Sequence, residues 1–392
     1  MDRRLLPLTA ATFAVGTDAF VIAGLLPAVG ADLDVGVAAA GQLITVFALV
    51  YALASPILGA ATASLDRRSV MLTGLAVFVV GNVATALSED FAFAVAARVA
   101  TALGAALVTP QAGAIAAAIA PEDRRGRYLS MVTGGLTIAT ALGVPLGTLL
   151  SEIDWRATLW VVAGLGVLAA AGIAAWLPAL RLPPIGLAAR LSPLKDRTVL
   201  GIAATSVLVL ISGNVLFTYI GAAAAGVTGG SQTILTLVLL ASGLGAVVGN
   251  LIAGRLVDRF RADRVVLIAQ GAYTLLLALS PLAFTGLAVA MPFTLVFGAV
   301  GWAVIVPQQH RLISRHPQAA PVLIGLNGSA TYLGISLGGI IGGTALTWVP
   351  ADRLGLIGAL VGAVGIAVTA AMLAARRRTA AVPEPVATAT AR

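Results

Sequence analysis

Two ionisable residues stand within long apolar runs of this sequence. Asp18 lies near the middle of the run that follows Arg4, and Arg98 lies within a later one. A lone charge at the centre of a bilayer costs roughly 2.5–3.5 kcal/mol on insertion scales, so such residues pair, line water or become neutral. The proton affinity of the carboxyl group then varies with its surroundings. Asp18 is therefore a candidate proton site; the alternative is a structural hydrogen bond, for instance to Thr17 or a neighbouring helix.

Arg98 is predicted to lie within reach of Asp18. It stands about six residues from the outer end of its helix, which at 1.5 Å per residue puts its Cα within roughly one or two turns of the depth of Asp18. A buried pair that opens and closes with protonation would couple proton movement to conformation. The alternative is that Arg98 only ties its helix to backbone carbonyl groups.

The chemistry of an enzyme is not indicated. Cysteine is absent, and the sequence shows no phosphate-binding loop, no cluster of metal ligands and no nucleophile–base–acid set. We therefore predict no catalytic residue, no metal site and no cofactor.

The composition identifies the solvent that surrounds these residues. The chain has 392 residues, of which 59% are hydrophobic and 10% charged, and its mean hydropathy is +1.01. Soluble domains average about 45–50% apolar and 25% charged residues. The apolar runs have the length of membrane spans, about 20 residues each. We predict an all-α integral membrane protein with twelve transmembrane helices in two pseudo-symmetric six-helix bundles, the spans covering 6–29, 40–62, 70–88, 92–118, 127–150, 157–178, 199–222, 232–254, 264–284, 288–312, 320–346 and 353–375.

Basic residues predict the orientation. With twelve spans both termini share a side, and 21 of the 24 Lys and Arg residues fall on that side. The positive-inside rule then places both termini in the cytoplasm, as expected for a multi-pass protein of the inner (plasma) membrane. The net charge of +8 follows these loops instead of forming a basic stripe, so nucleic acid is not an expected partner.

The longest loop divides the spans six and six. We expect an N-terminal bundle at 1–178, a cytoplasmic linker at 179–198, a C-terminal bundle at 199–375 and a disordered cytoplasmic tail at 376–392. Pro183 and Pro184 are predicted to break any helix in the linker.

A loop pattern recurs in the two halves. Its glycines, after spans 2 and 8, lie 195 residues apart. Glycine permits close helix packing, and an Asp can cap a helix or pair with Arg across the loop and hold one face closed. The second copy matches this pattern better, although the arginines could equally be topology anchors. The candidate gating residues are Gly59, Asp66, Arg67 and Arg68 in the first copy and Gly254, Asp258 and Arg259 in the second.

These motifs together resemble the twelve-span drug:proton antiporter branch of the major facilitator superfamily. The second loop copy is similar to the family's cytoplasmic loop signature, and the segment from Arg98 to Pro110 resembles its span 4 motif. The stretch from Ala141 to Leu149, followed by Trp155 and Arg156, resembles its span 5 antiporter motif. Spans 1, 10 and 11 carry further similar segments, 16–29, 302–312 and 327–343. Within the branch, the chain resembles bacterial purine, arabinose and chloramphenicol exporters.

The resemblance has one departure and two implications. The branch often reads Gly-Thr-x-Glu-Phe in span 1, whereas here Asp18 stands one place earlier, about 100° around the helix. In span 5, Pro145 should kink the helix, and Gly143 and Gly147 should allow close packing against the other half. The family geometry also implies a substrate cavity lined by spans 1, 4, 7 and 10. Its candidate residues, with two from span 2, are Gln42, Tyr51, Gln111, Asn214, Phe217, Tyr219, Trp302 and Gln308.

The expected function is export of a small organic solute or drug in exchange for protons, by alternating access of two bundles around a mid-membrane site. The expected partners are a small-molecule substrate, protons and the lipid bilayer, with the chain acting as a monomer. One alternative is a sugar or metabolite importer or facilitator, against which the span 5 motif argues. Another is a membrane receptor or scaffold without transport, which leaves the mid-membrane charges unexplained.

Overall fold

The computed structural model describes residues 2–121, 124–184, 186–315 and 319–380, and this part of the chain is helical without a strand. Twelve of its helices are long and apolar enough to cross a membrane. They are numbered here as spans 1 to 12 in chain order: Leu5–Asp32, Val37–Ala61, Arg67–Ala86, Phe91–Ile119, Gly126–Leu150, Trp155–Trp176, Arg197–Phe217, Gln232–Arg259, Ala262–Ala283, Leu287–Ile313, Val322–Ala345 and Ala351–Ala375.

Polar side chains set where several spans begin. Asp66, Asp90, Asp154 and Asp196 each precede a span, and each carboxylate accepts a hydrogen bond from a backbone N–H in the first turn. Such N-caps satisfy donors that the helix cannot pair itself. An even number of spans leaves both ends of the helical body on one side, called here the terminal side; the opposite side is the distal side.

The two halves repeat the same set of helix contacts. Span 1 packs against spans 5 and 6, span 2 against span 4, and span 3 against span 6. In the second half span 7 packs against spans 11 and 12, span 8 against span 10, and span 9 against span 12. The halves meet where span 2 contacts span 11 and where span 5 contacts span 8. Two six-helix bundles therefore face each other across a pseudo-symmetric interface.

Burial follows this arrangement. Span 1 is buried over most of its length, whereas only a small share of span 12 is buried. Large apolar side chains point outward from several spans, for example Leu168, Ile268 and Leu360. Water would disfavour so much exposed apolar surface, and lipid does not. The protein is an α-helical membrane protein, as the composition predicts.

The connecting segments differ from the predictions in two places. Pro183 and Pro184 lie in irregular backbone, but the linker then forms a short helix, Leu187–Leu191, and a single 3₁₀ turn, Ser192–Lys195. The last helix continues to Ala380, beyond the predicted tail boundary at 376, because Ala and Arg favour helix. The rest of the predicted disordered tail lies outside the described residues.

Candidate functional site

The structure brings the two mid-membrane charges together. Asp18 lies midway along span 1, and Arg98 lies on the second turn of span 4. The Arg98 Nη1 atom donates to Asp18 Oδ1 at 2.7 Å, and both side chains are 0% exposed. The predicted pair is therefore present, and Asp18 bonds to Arg98 instead of Thr17. Its position one residue from the usual acid of the branch still directs it at span 4.

The pair keeps unused hydrogen-bonding groups. Asp18 Oδ2 accepts from no donor among the described residues, and Arg98 Nε and Nη2 find no acceptor there. Buried polar groups without partners are costly, so these three atoms add to the cost of keeping the pair in an apolar environment. Both charges are desolvated, so the loss of one charge leaves the other buried without a counter-charge, which is unfavourable in free energy. Such a pair responds strongly to a change in the charge of its carboxyl group.

An aromatic ring covers the pair on one side. The Arg98 guanidinium lies over the ring of Phe47 from span 2, with Cζ 4.6 Å from the ring centroid. A cation at this distance from a ring face is attracted by its quadrupole. Sequence reasoning missed Phe47, because nothing in an apolar span distinguishes a phenylalanine that faces a cation from one that faces lipid.

Two of the predicted cavity residues lie at contacts between the halves. Tyr51 of span 2 stacks on Tyr332 of span 11, with centroids 3.8 Å apart. Phe217, at the distal end of span 7, meets the edge of Phe20 from span 1 at 6.4 Å. Phe20 and Phe217 are both partly exposed and come from opposite halves, so they face the space between the two bundles.

Two of the three predicted cavity glutamines are held by polar side chains instead. Gln111 accepts a hydrogen bond from Arg67 Nη1 at 3.4 Å, and Gln308 accepts one from Arg311 Nη1 at 2.7 Å. The Gln308 amide also donates to Thr205 on span 7. Both glutamines are nearly fully buried. They brace the terminal side of each half, a role that their polarity alone could not distinguish from substrate contact.

Tyr219 and Asn214 also differ from the cavity prediction. Tyr219 is fully buried, and its hydroxyl donates to the carbonyl oxygen of Gly339 in span 11. Its ring packs on Gly41 of the first half, where an added methyl group would collide with it. The Asn214 amide donates to Leu210 in its own helix. Both residues serve packing, and Tyr219 helps to close the distal side.

For the last two cavity candidates the described part of the chain gives a position but no contact that indicates a role. Gln42 lies at the distal start of span 2 and Trp302 lies within span 10, and both are partly exposed. Among the described residues neither has a specific polar contact that would assign it a role.

Span 5 contains an irregular turn at the predicted motif. Ala139–Gly143 forms a single π-helical turn directly before Pro145, whose ring nitrogen cannot donate a hydrogen bond. The glycines face their own half, contrary to the prediction. An added methyl group on Gly143 would collide with Thr17 of span 1, and one on Gly147 would lie 2.8 Å from Thr158 of span 6.

Contact between spans 5 and 8 uses other small residues. A methyl group on Gly243 of span 8 would collide with the backbone of Thr140 and lie 2.7 Å from Ala141. Farther toward the distal side, Thr233 of span 8 donates a hydrogen bond to Glu152 after span 5. The periodicity of an apolar span cannot show which glycine faces which half, because most of its faces are apolar.

The first loop copy holds the linker instead of the other half. The Asp66 carboxylate accepts from the N–H groups of Ser69 and Leu180, and the Leu180 carbonyl oxygen accepts from the N–H group of Arg67 at 2.8 Å. Arg190 from the linker helix donates to the carbonyl oxygen of Gly59 at 3.0 Å. These contacts fix the linker to the ends of spans 2 and 3.

Arg68 extends the same clamp within the first half. Its side chain donates to the carbonyl oxygen of Ala174, near the end of span 6. Partial burial favours a neutral Asp66 carboxyl group, but the hydrogen bonds from Ser69 and Leu180 outweigh it and lower the pKa of Asp66 below its usual value of 3.8. The linker therefore binds the ionised carboxylate.

The second loop copy is open in this conformation. Asp258 and Arg259 are exposed at the end of span 8, and the described residues include no ion pair between them. In the part of the chain that the structure describes, no atom outside its own helix turn would meet a methyl group added at Gly254. The match to the loop pattern is better in the second copy, whereas in this conformation the specific contacts are made by the first copy.

Comparison with known proteins agrees with this architecture. Residues 8–339 match the family model of the Major Facilitator Superfamily. The chain is 31% identical over 368 residues to YbcL, an uncharacterized MFS-type transporter of Bacillus subtilis, covering 93% of this chain and 94% of that one. It is 34% identical over 270 residues to a chloramphenicol resistance protein of Streptomyces lividans, covering 67% and 68%.

A solved structure shares the fold. It is a bacterial homologue of the human lysosomal transporter Spinster, in an inward-facing, occupied conformation. It matches with a TM-score of 0.74 at 19% identity and covers 97% of this chain and 98% of that chain.

The twelve-span fold and the family match identify a polytopic membrane transporter rather than an enzyme. The chain belongs to the Major Facilitator Superfamily.

Proposed function

We propose that the protein exports a small organic solute in exchange for protons, and that the Asp18–Arg98 pair is the proton-coupling site. The observation that carries the proposal is a fully buried ion pair at mid-membrane depth, with one carboxylate oxygen and two guanidinium nitrogens unpartnered among the described residues. Ionisable groups at this depth are costly and mark ion or proton pathways. The potential supplies the driving force, about 2.3 kcal/mol per proton at 100 mV.

The coupling follows from the geometry of the pair. While Asp18 is ionised, Arg98 has a charged partner, and the two groups hold spans 1 and 4 together at mid-depth. A proton on Asp18 removes that attraction and leaves Arg98 with its ring contact to Phe47. The charge state of Asp18 thus selects between two arrangements of the first half, as alternating access requires.

The surroundings favour a neutral, partly aromatic solute. Phe20 and Phe217, one aromatic side chain from each half, lie in contact at the space between the halves. Few polar groups among apolar ones suit such a ligand. One relative is named for chloramphenicol resistance. Chloramphenicol, a neutral aromatic molecule, is therefore the first probe to use.

The direction of transport rests on orientation. We propose that the terminal side is cytoplasmic and the membrane is the plasma membrane, because 21 of the 24 basic residues belong to that side. Protons would then enter from the distal side as the solute leaves. Each chain supplies both halves, so we propose that it works as a monomer.

Inverted membrane vesicles test the proposal. With an imposed proton gradient, the native protein should accumulate radiolabelled chloramphenicol, and an uncoupler should abolish that accumulation. Asp18→Asn should remove it as well, whereas Asp32→Asn, the same change at the distal end of the same span, should keep it. Equal accumulation by Asp18→Asn would remove Asp18 from the mechanism. Chloramphenicol transport by the native protein that is unchanged by the uncoupler would indicate a facilitator.

A further inference from the structure

A tyrosine pair joins the two halves beside the ion pair. Tyr51 lies on span 2 in the first half and Tyr332 on span 11 in the second. Their ring centroids are 3.8 Å apart and the rings are inclined by 29°, so the side chains stack face to face. They are only 3% and 8% exposed. The stack therefore belongs to the buried interface between the bundles.

Phe47 connects this stack to the buried arginine. Its ring centroid lies 6.4 Å from that of Tyr51 and 6.3 Å from that of Tyr332. The same ring carries the Arg98 guanidinium on its face at 4.6 Å. Contacts thus run without a gap from the carboxylate through the guanidinium and Phe47 to a residue of the opposite half. Tyr332 is the only member of this chain of contacts that the second half provides.

We propose that Tyr332 is a positioning residue through which the second half responds to the proton on Asp18. With Asp18 ionised, Arg98 is held between the carboxylate and Phe47, and Phe47 supports the two stacked tyrosines. Protonation releases Arg98 from the carboxylate, Phe47 loses its fixed neighbour, and the stack that joins the halves is weakened. Two discrete packings of one interface are the usual structural basis of such a switch.

Among the described ionisable groups around span 1, only those of the Arg98–Phe47–Tyr51–Tyr332 contacts lie at the depth of Asp18. Besides Arg98, the described ionisable side chain that interacts with Asp18 is Tyr332, on which Tyr51 is stacked. Spans 5, 6 and 8 and the segment after span 7 also pack on span 1. Their described ionisable side chains lie toward the membrane surfaces and are Arg127, Tyr128, Arg156, Tyr219, Arg255, Asp258 and Arg259.

A double-mutant cycle tests the inference without any substrate. Tyr332→Leu removes the ring, and Tyr273→Leu is its control, because Tyr273 is equally buried at 8% but packs against the ring of Phe297 inside the second half. Each change is combined with Asp18→Asn in purified protein, and thermal unfolding midpoints are measured. We expect the Asp18 and Tyr332 effects to be non-additive and the Asp18 and Tyr273 effects to add. Additive effects for both pairs would overturn the proposal.

A disulfide gives a second readout if a variant is too unstable for the cycle. A Cβ atom added at Gly339 of span 11 would lie 3.7 Å from Cβ of Thr45 in span 2, which suits a disulfide. The chain has no cysteine, so Thr45→Cys with Gly339→Cys is the sole pair. Cross-linking is driven by an added oxidant, and thiol ionisation makes its yield rise with pH in every variant, so the yield is compared with that of Asp18→Asn at each pH. The remaining pH dependence should follow the state of Asp18: it should be absent in Tyr332→Leu and present in the native background, in Tyr273→Leu and in Tyr332→Phe.

The inference rests on the proposed function, yet the two can fail separately. Vesicles with the native protein that show no gradient-driven accumulation would reject proton-coupled export. The double-mutant cycle and the cross-link would still test whether Tyr332 is coupled to Asp18. Cross-linking in Tyr332→Leu that keeps the native pH dependence would reject the role of Tyr332, even if native transport is proton-coupled.

Discussion

Each half of the protein pairs a buried arginine with a carboxylate, but the two pairs lie at different depths and in different surroundings. In the first half Arg98 pairs with Asp18 at mid-membrane, and both side chains are completely buried. In the second half Arg311 lies near the terminal end of span 10 and pairs with Asp263 at 2.9 Å, where the carboxylate keeps 23% exposure. The repeat therefore preserves helix packing while the charges differ in depth and exposure. The Asp263 carboxylate can be hydrated, whereas the Asp18 carboxylate is cut off from water, which is why the proton-coupling role is proposed for Asp18 alone.

The largest expected difference between the halves is the cost of removing each arginine. Arg98→Leu leaves the Asp18 carboxylate buried without a counter-charge, which should destabilise the protein by roughly 3–5 kcal/mol. Arg311→Leu should cost less, because Asp263 can be hydrated. Chemical unfolding of both variants in the same detergent measures the difference. Adding Asp18→Asn should restore much of the stability of Arg98→Leu; equal costs for the two arginines, with no such rescue, would contradict the comparison.

Two glycines of span 8 extend the comparison to packing. Gly243 touches the backbone of span 5 in the other half, so Gly243→Ala should cost about 1–3 kcal/mol through overpacking. Gly254 faces open space at the loop motif, so Gly254→Ala should stabilise the helix by about 0.5–1 kcal/mol. Unfolding midpoints check both variants. Loss of stability in Gly254→Ala would show that its motif position packs against something in the folded protein.

The two loop copies give a smaller effect. Asp66→Ala removes the N-cap of span 3 and the anchor for Leu180, and should cost about 1 kcal/mol. Asp258→Ala alters an exposed side chain and should stay within about 0.5 kcal/mol. The rate of linker cleavage by a protease should rise only in Asp66→Ala. Equal cleavage of both variants would mean that Asp66 does not hold the linker.

The smallest effect is a pH dependence of this clamp. The pKa of Asp66 is lower in the folded protein, so its stabilising contribution is complete above the ordinary value of 3.8 and is lost as the pH falls through the folded value. The difference in unfolding midpoint between native protein and Asp66→Asn should therefore narrow on acidification. A difference that stays constant down to the most acidic accessible pH would contradict the assigned hydrogen bonds.

Some of this structure could be predicted from the sequence because it depends on length and depth alone. The thickness of a bilayer sets the length of each span, so the number and approximate ends of the spans can be read from the apolar runs. Two opposite charges at similar depth in adjacent helices are expected to pair, as Asp18 and Arg98 do. The helix faces could not be predicted. Gly143 and Gly147 turn toward their own half, and nothing in span 11 distinguished Tyr332, because apolar spans lack the polar face that reveals orientation in soluble helices.

Long-range contacts of loops were equally hidden. The match of Gly254, Asp258 and Arg259 to a loop pattern favoured the second copy, whereas the structure uses Asp66 in the first. The partner of Asp66 is the backbone N–H group of Leu180. Every residue except proline has such a group, so the residue type at position 180 does not indicate the contact. The polarity of Gln111 and Gln308 was visible, but their arginine partners arise only from tertiary packing.

Infrared difference spectroscopy of the purified protein tests the central claim most directly. If Asp18 exchanges between an ion pair with Arg98 and a protonated acid, a carboxylic acid band should appear reversibly as the pH is lowered. Other carboxyl groups, Asp66 among them, give their own bands on acidification, so the spectrum of Asp18→Asn is subtracted. A band of Asp18 should then remain for the native protein and for Asp32→Asn. An identical band in Asp18→Asn, or none in the native protein over its stable pH range, would contradict proton binding at this site.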